Sequence, residues 1–154
     1  MKDRVLVDSS VWIAATRLGG DPQIAAELGE LLLSGRAAMT EPVWLELFQG
    51  IKGKREEARL AESKKACMWL AIDEACWTEA AATARACLRA GVNVPFGDVL
   101  VSACARRYGV ELLERDRHFA MIAKALDKCA TTPKPTSSSN RLSSSCSMSW
   151  AGMW

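Results

Sequence analysis

Apolar and polar positions alternate between two regimes along the chain. Short runs of aliphatic residues, three to five long, are followed by longer stretches with apolar positions at helical spacing. Residues 4–7 end in "VLV" and read as a buried strand. A helix is expected after Ser9 or Ser10, with Val11, Ile13, Ala14 and Leu18 apolar and Gly19-Gly20 as its stop. Asp21-Pro22 restarts a helix that carries Ile24, Ala25, Leu28, Leu31 and Leu32 and stops at Gly35. "RAAMT" is the second strand, and Thr40-Glu41-Pro42 opens a helix closed by Gly50. A charged helix from Lys54 to about Ala66 leads to a third strand, "MWLAI" at 68–72. Asp73 begins an alanine-rich helix to Ala90, with Gly91 as its stop. Pro95 and Asp98 introduce the apolar helix "VLVSACARRY", Gly109 ends it, and "VELL" is a fourth strand. Asp116 and a last helix containing "FAMIAKAL" follow. Strands alternating with helical crossovers predict an α/β fold around a mostly parallel sheet.

The pattern changes after Lys128. "TTPKPTSSSNRLSSSCSMSW" is rich in Ser, Thr and Pro and short of aliphatics, too little apolar surface to fold alone. We therefore divide the chain into a folded domain, 1–129, and a flexible tail, 130–154, in which Trp150 and Trp154 belong to no motif. The 154 residues suffice for one domain with a real core. Hydrophobic residues at 49% and charged residues at 25% fit a soluble globular protein, and a net charge of +2 means that any basic surface must be local. Asp3 and Asp8 interrupt the first apolar run, so no signal peptide is expected. No window reaches the roughly 18 apolar residues of a membrane span, and a cytoplasmic location is the expectation.

The cysteines, at 67, 76, 87, 104, 129 and 146, form no C-x-x-C pair, and the single histidine, His118, has none beside it. A zinc site is not expected. Cys67, Cys76, Cys87 and Cys104 sit among Ala, Leu and Val and read as small core-filling thiols of a reducing compartment.

The carboxylates are more informative. In an open parallel sheet, ligands bind beyond the carboxyl ends of the strands, where the crossover direction switches. Asp8 ends the first strand, Asp116 follows the fourth, Asp98 opens an apolar helix, and Glu46 lies on the helix after the second strand. Each has a plain reading as well: Asp8 and Asp98 as helix caps, Asp116 as a turn former, Glu46 as surface charge. Three acids converging on one rim favour a shared role. Gly50, four residues after Glu46, is expected on the same helix face, where it leaves room for a ligand.

The segments "VLVDSSVWIAA", "EPVWLELFQGI", "GVNVPFGDVLVSACA" and "LLERDRHFAMIA" resemble, in order, the four signature blocks of PIN-domain ribonucleases of the VapC type, the toxins of bacterial toxin–antitoxin pairs. The resemblance covers residues 4 to about 126. It implies a three-layer α/β/α fold with a central sheet of four to five strands, and a metal-dependent endoribonuclease that hydrolyses RNA phosphodiester bonds by a metal-activated water. By the same resemblance Asp8, Glu46, Asp98 and Asp116 would be the catalytic acids and ligands of Mg²⁺ or Mn²⁺. The substrate would be a structured RNA such as tRNA or rRNA, and the partners a cognate antitoxin and a second copy of the chain.

Two departures stand out. Some relatives carry a second acid two residues after the fourth, where this chain has His118; Glu114 is near enough to be considered instead. Relatives also tend to finish on a short apolar strand, here replaced by the Ser/Pro tail. Around the acids, Ser10 is read as a hydrogen-bonding support or an N-cap, and Ser9 as a cap. Arg115, Arg117, Lys52, Lys54 and Arg55 are candidates for the RNA backbone or plain surface charge. Trp12 and Trp44 are read as core or dimer packing ahead of base stacking, and His118 as a surface residue of the last helix ahead of a phosphate contact.

Two rival classes remain. A non-catalytic RNA- or protein-binding module could use the same scaffold. A Mg²⁺-dependent phosphoacceptor or phosphatase domain also places Asp at strand ends, but it would want adjacent acids or D-x-D where this chain has "VDSSVW".

Overall fold

The computed structural model describes residues 3–17 and 19–131. Its strands are β1 (Val5–Val7), β2 (Ala37–Met39), β3 (Met68–Trp69) and β4 (Glu111–Leu113). Its helices are α1 (Ser9–Thr16), α2 (Pro22–Leu33), α3 (Glu41–Gln49), α4 (Lys54–Ala66), α5 (Glu74–Arg89), α6 (Phe96–Tyr108) and α7 (Arg117–Thr131). The sheet is wholly parallel in the order β3-β2-β1-β4, with helices on its faces as the three-layer expectation requires.

That order positions the site. The chain steps outward from β1 to β2 to β3, then returns across the sheet to place β4 on the other side of β1. The reversal falls between β1 and β4, and ligands bind at such switch points, beyond the carboxyl ends of the strands. Val7 pairs with Leu113, and the Asp8 amide still donates to the Leu113 carbonyl at 2.9 Å. The two strands thus end level, and the acids that follow them emerge side by side.

All of β1 and β2 is buried, which is why their sequences are continuously apolar rather than alternating. Around them pack Val11, Trp12, Leu28, Leu31, Val43, Val101, Cys104, Phe119 and Ile122. Trp12 and Trp44 both serve packing: Trp12 is 3% exposed, and Trp44 lies against the core beside Phe48. Cys76, Cys87 and Cys104 are buried, and burial pushes the Cys67 thiol up to about 11 and the Cys104 thiol up to about 12. Such thiols stay protonated and unreactive at neutral pH.

Several expected boundaries shift. The third strand was expected to run to Ile72 but leaves the ladder after Trp69, with only the Leu70 amide still donating to Met39. The following backbone is held by side chains: Ile72 donates its N–H to Glu41 Oε2, and the Ala71 carbonyl accepts from the Tyr108 hydroxyl. Helix α1 stops at Thr16, before Gly19-Gly20, and Leu18 lies outside the described residues. Helix α7 continues to Thr131, two residues past the expected domain boundary; the remainder of the tail lies outside the described residues. Among the described residues there are four strands, and no helix is long and apolar enough to cross a membrane.

Candidate functional site

Each acid is delivered to the rim by local chemistry. Asp8 is at once the last residue of the β1 run and the N-cap of α1. Its Oδ2 accepts from the Ser10 amide at 2.9 Å and from the Ser10 hydroxyl at 2.6 Å. Asp8 is 3% exposed, a burial that a carboxylate tolerates only with such partners. Asp8 thus caps α1, as its plain reading has it, and does so close to Asp98. Ser10 Oγ also accepts the Arg115 amide at 3.0 Å, which ties the start of α1 to the turn after β4.

Asp98 lies in the first turn of α6, which has no side-chain cap, so its carboxylate is directed elsewhere. Asp116 precedes α7, and its Oδ1 accepts from the His118 amide at 3.0 Å. This tight turn swings the ring of His118 inward. His118 Nδ1 lies 2.9 Å from Asp98 Oδ2 and 2.9 Å from Asp116 Oδ1. The expected surface placement of His118 is thus corrected: its side chain is 24% exposed and completes a three-residue cluster with the two acids. The ligating atoms of the three all lie within 4.8 Å of one another.

The electrostatics mark a site built against its own repulsion. Burial, and then the charge of Asp8, push the Asp98 carboxyl above its ordinary range; the adjacent His118 ring opposes this. Burial also raises Glu114, with Asp8 and Asp116 adding to the effect, so this acid faces the same field. Asp98 Oδ2 and His118 Nδ1 are buried, and although 2.9 Å apart they are not aligned as donor and acceptor. A buried carboxylate oxygen and a buried ring nitrogen without a well-formed bond suit a third group between them. Two carboxylates and an imidazole, with Asp8 close by, are a donor set for a hard to borderline divalent cation.

Glu46 arrives from α3 and remains exposed. Ser9 Oγ donates to its Oε2 at 2.6 Å, so Ser9 positions this acid rather than capping the helix. The glycine that makes room is also not the expected one. Gly50 caps α3 through its own amide, whereas a Cβ on Gly97 would meet Glu46 Oε1 at 2.7 Å. The signal for Gly97 was present in "PFGD", directly before Asp98. Ser9 had none, because its partner lies 37 positions away.

The basic candidates separate. Arg115, read as an RNA-backbone contact or plain surface charge, is half-exposed and pairs with Asp21 Oδ2 at 2.7 Å. Arg117, Lys52, Lys54 and Arg55 are exposed.

The arrangement is a parallel sheet with acids from separated segments around its switch point. Residues 5–125 match the PIN domain, and the chain belongs to the PIN-domain family. It is 34% identical over 125 residues to a VapC ribonuclease of Mycobacterium bovis and to Ribonuclease VapC11 of Mycobacterium tuberculosis, covering 78% of this chain and 92% of each relative. Among solved structures, FitAcB from Neisseria gonorrhoeae superposes with a TM-score of 0.61 at 18% identity, covering 77% of this chain and 93% of the other. VapBC2 from Rickettsia felis, bound to a promoter DNA fragment, superposes with a TM-score of 0.62 at 12% identity, covering 73% and 87%. These two likenesses establish the fold.

Proposed function

We propose that this chain is the toxin of a toxin–antitoxin pair, a divalent-metal-dependent endoribonuclease whose site is the acid cluster at the β1/β4 switch point. The observation that carries the reading is the contact of Asp98, Asp116 and His118 beside the buried Asp8, in a chain with extended identity to VapC ribonucleases.

Asp98, Asp116 and His118, with Asp8, would hold Mg²⁺ or Mn²⁺. When bound, such an ion supplies a coordinated water of lowered pKa and stabilises charge on the scissile phosphate. Ser10 keeps the Asp8 carboxylate in one orientation through two hydrogen bonds. Glu46, held at Oε2 by Ser9, presents its carboxylate to orient the attacking water and take up its proton. Arg117, Lys52 and Lys54 provide positive surface for the RNA backbone, while Arg115 braces the turn after β4 against α2 through Asp21. This route requires no nucleophilic serine or cysteine, in keeping with the raised thiols of Cys67 and Cys104.

Exposed apolar side chains, among them Ile13, Leu45, Phe48, Trp77 and Phe96, offer surface for an antitoxin and a second copy of the chain. A cytoplasmic location follows for a protein acting on cellular RNA. The folded unit would be residues 1 to about 131, with the Ser/Pro-rich remainder as an appendage.

The test is cleavage of structured RNA by wild type and Asp8→Asn, with Mg²⁺ or Mn²⁺ and with chelator. We expect metal-dependent cleavage by wild type alone, leaving 5′-phosphate and 3′-hydroxyl ends. Equal cleavage by both proteins would refute the assignment, and RNA binding without cleavage by either would make the chain a non-catalytic module.

A further inference from the structure

We infer that His118 is itself a metal ligand, through Nδ1, and that this nitrogen biases the site toward Mn²⁺ over Mg²⁺. The inference rests on the proposed metal site and concerns what the imidazole contributes to it.

Three observations carry it. First, Nδ1 stands 2.9 Å from a carboxylate oxygen on each side, one from Asp98 and one from Asp116. A ring nitrogen has either one proton or one lone pair, so it can give a full hydrogen bond to at most one of the two acceptors. Second, it is not aligned to donate to either of them, and both Nδ1 and Asp98 Oδ2 are left buried without a hydrogen bond. Third, the two distances from Nδ1 are those of neighbouring ligands around one octahedral ion, which with bonds of about 2.1 Å stand about 3 Å apart, and all three ligand atoms lie within 4.8 Å of one another. The three side chains converge as they would on a shared centre.

The consequence concerns selectivity. Mg²⁺ demands near-ideal octahedral oxygen coordination and releases its waters reluctantly. An imidazole in place of a carboxylate removes one negative charge and one hard oxygen donor, which weakens Mg²⁺ more than a first-row transition ion that accepts nitrogen. With Asp98 and Asp116 as oxygen donors the site remains suited to Mn²⁺ and is a poorer trap for Mg²⁺.

The chain offers a clean readout because it contains one histidine. In untagged full-length protein loaded with Mn²⁺, pulsed electron paramagnetic resonance should detect imidazole ¹⁴N coupled to the manganese, and that nitrogen can belong only to His118. The coupling should vanish in His118→Asp, while Mn²⁺ still binds. Competition titrations should show the Mn²⁺-over-Mg²⁺ preference of wild type falling about tenfold or more in His118→Asp, which restores an oxygen donor. Wild-type Mn²⁺ without ¹⁴N coupling, or an unchanged preference in His118→Asp, would overturn the inference. A separate arm isolates the premise. If Asp98→Asn abolishes Mn²⁺ binding while the nitrogen coupling is absent in wild type, the metal site stands and only the role of His118 falls. If Asp98→Asn leaves Mn²⁺ binding intact, the site itself is misplaced.

Discussion

Two ends of the same sheet handle charge in opposite ways. At the β3 edge, opposite charges and dipoles meet. The Glu41 carboxylate accepts from Trp69 Nε1 at 3.2 Å and from the Ile72 amide at 3.0 Å. Lys64 Nζ lies 4.4 Å from the ring centroids of both Trp44 and Trp69, and Arg107 pairs with Asp73. At the β1/β4 mouth, by contrast, Asp8, Asp98, Glu114 and Asp116 share one field with a single imidazole among them. The edge interactions fasten a two-residue strand that the ladder alone holds weakly. The mouth is destabilising in isolation, and a cluster of this kind persists where a ligand repays it.

That contrast can be broken first at the mouth. On the proposed assignment of Asp98 as a metal ligand, Asp98→Asn should reduce RNA cleavage by roughly 10²–10³-fold, since losing a ligand removes several kcal/mol of transition-state stabilisation. The same change should raise the melting temperature of the metal-free protein at neutral pH. The sign follows from the raised carboxyl of Asp98. Its ionised form is disfavoured in the fold, so its contribution to stability falls as pH rises from the ordinary carboxylate range through its raised value. The advantage of Asn should be full above that window and absent below it, as melting curves across pH would show.

Next is the edge. Glu41→Ala removes the two charge-assisted hydrogen bonds to the β3 edge, together with one from the Thr40 hydroxyl, and should cost about 1–2 kcal/mol, a fall of roughly 3–6 °C in melting temperature, without changing the rate of RNA cleavage. Loss of activity at full stability would place Glu41 in the site and erase the distinction between the two ends. Smaller still, Gly97→Ala should push Glu46 away from Ser9, the displaced group being the movable end of a side chain. We expect several-fold slower cleavage with nearly unchanged melting. The least effect is expected from Arg115→Gln. Its exposed pair with Asp21 is worth little, so the salt dependence of RNA binding should change less than in Arg117→Gln or Lys54→Gln.

The sequence revealed the parts of this picture that are local. β1 and β2 are continuous apolar runs because both faces are covered, and Asp8 is legible at the end of one of them. Asp21, Asp73 and Gly109 mark helix ends through chemistry that acts within four residues. What escaped depends on distant partners or on a turn. Ser9 reaches Glu46, Arg115 reaches Asp21 across 94 positions, and Glu41 secures a strand on another element. His118 was read as surface because helical spacing alone does not fix which way the first turn of α7 faces; the Asp116 turn decides it. Its position two residues past Asp116, where some relatives carry an acid, was the available clue.

The central claim is that Asp98, Asp116 and His118 gather around one divalent cation. Crystals of the protein soaked in Mn²⁺, with diffraction recorded at the manganese absorption edge, test it directly. A single anomalous peak between Asp98 Oδ2, Asp116 Oδ1 and His118 Nδ1, lost in Asp98→Asn, is the predicted result. A peak elsewhere on the surface, or none at a saturating concentration, would contradict it.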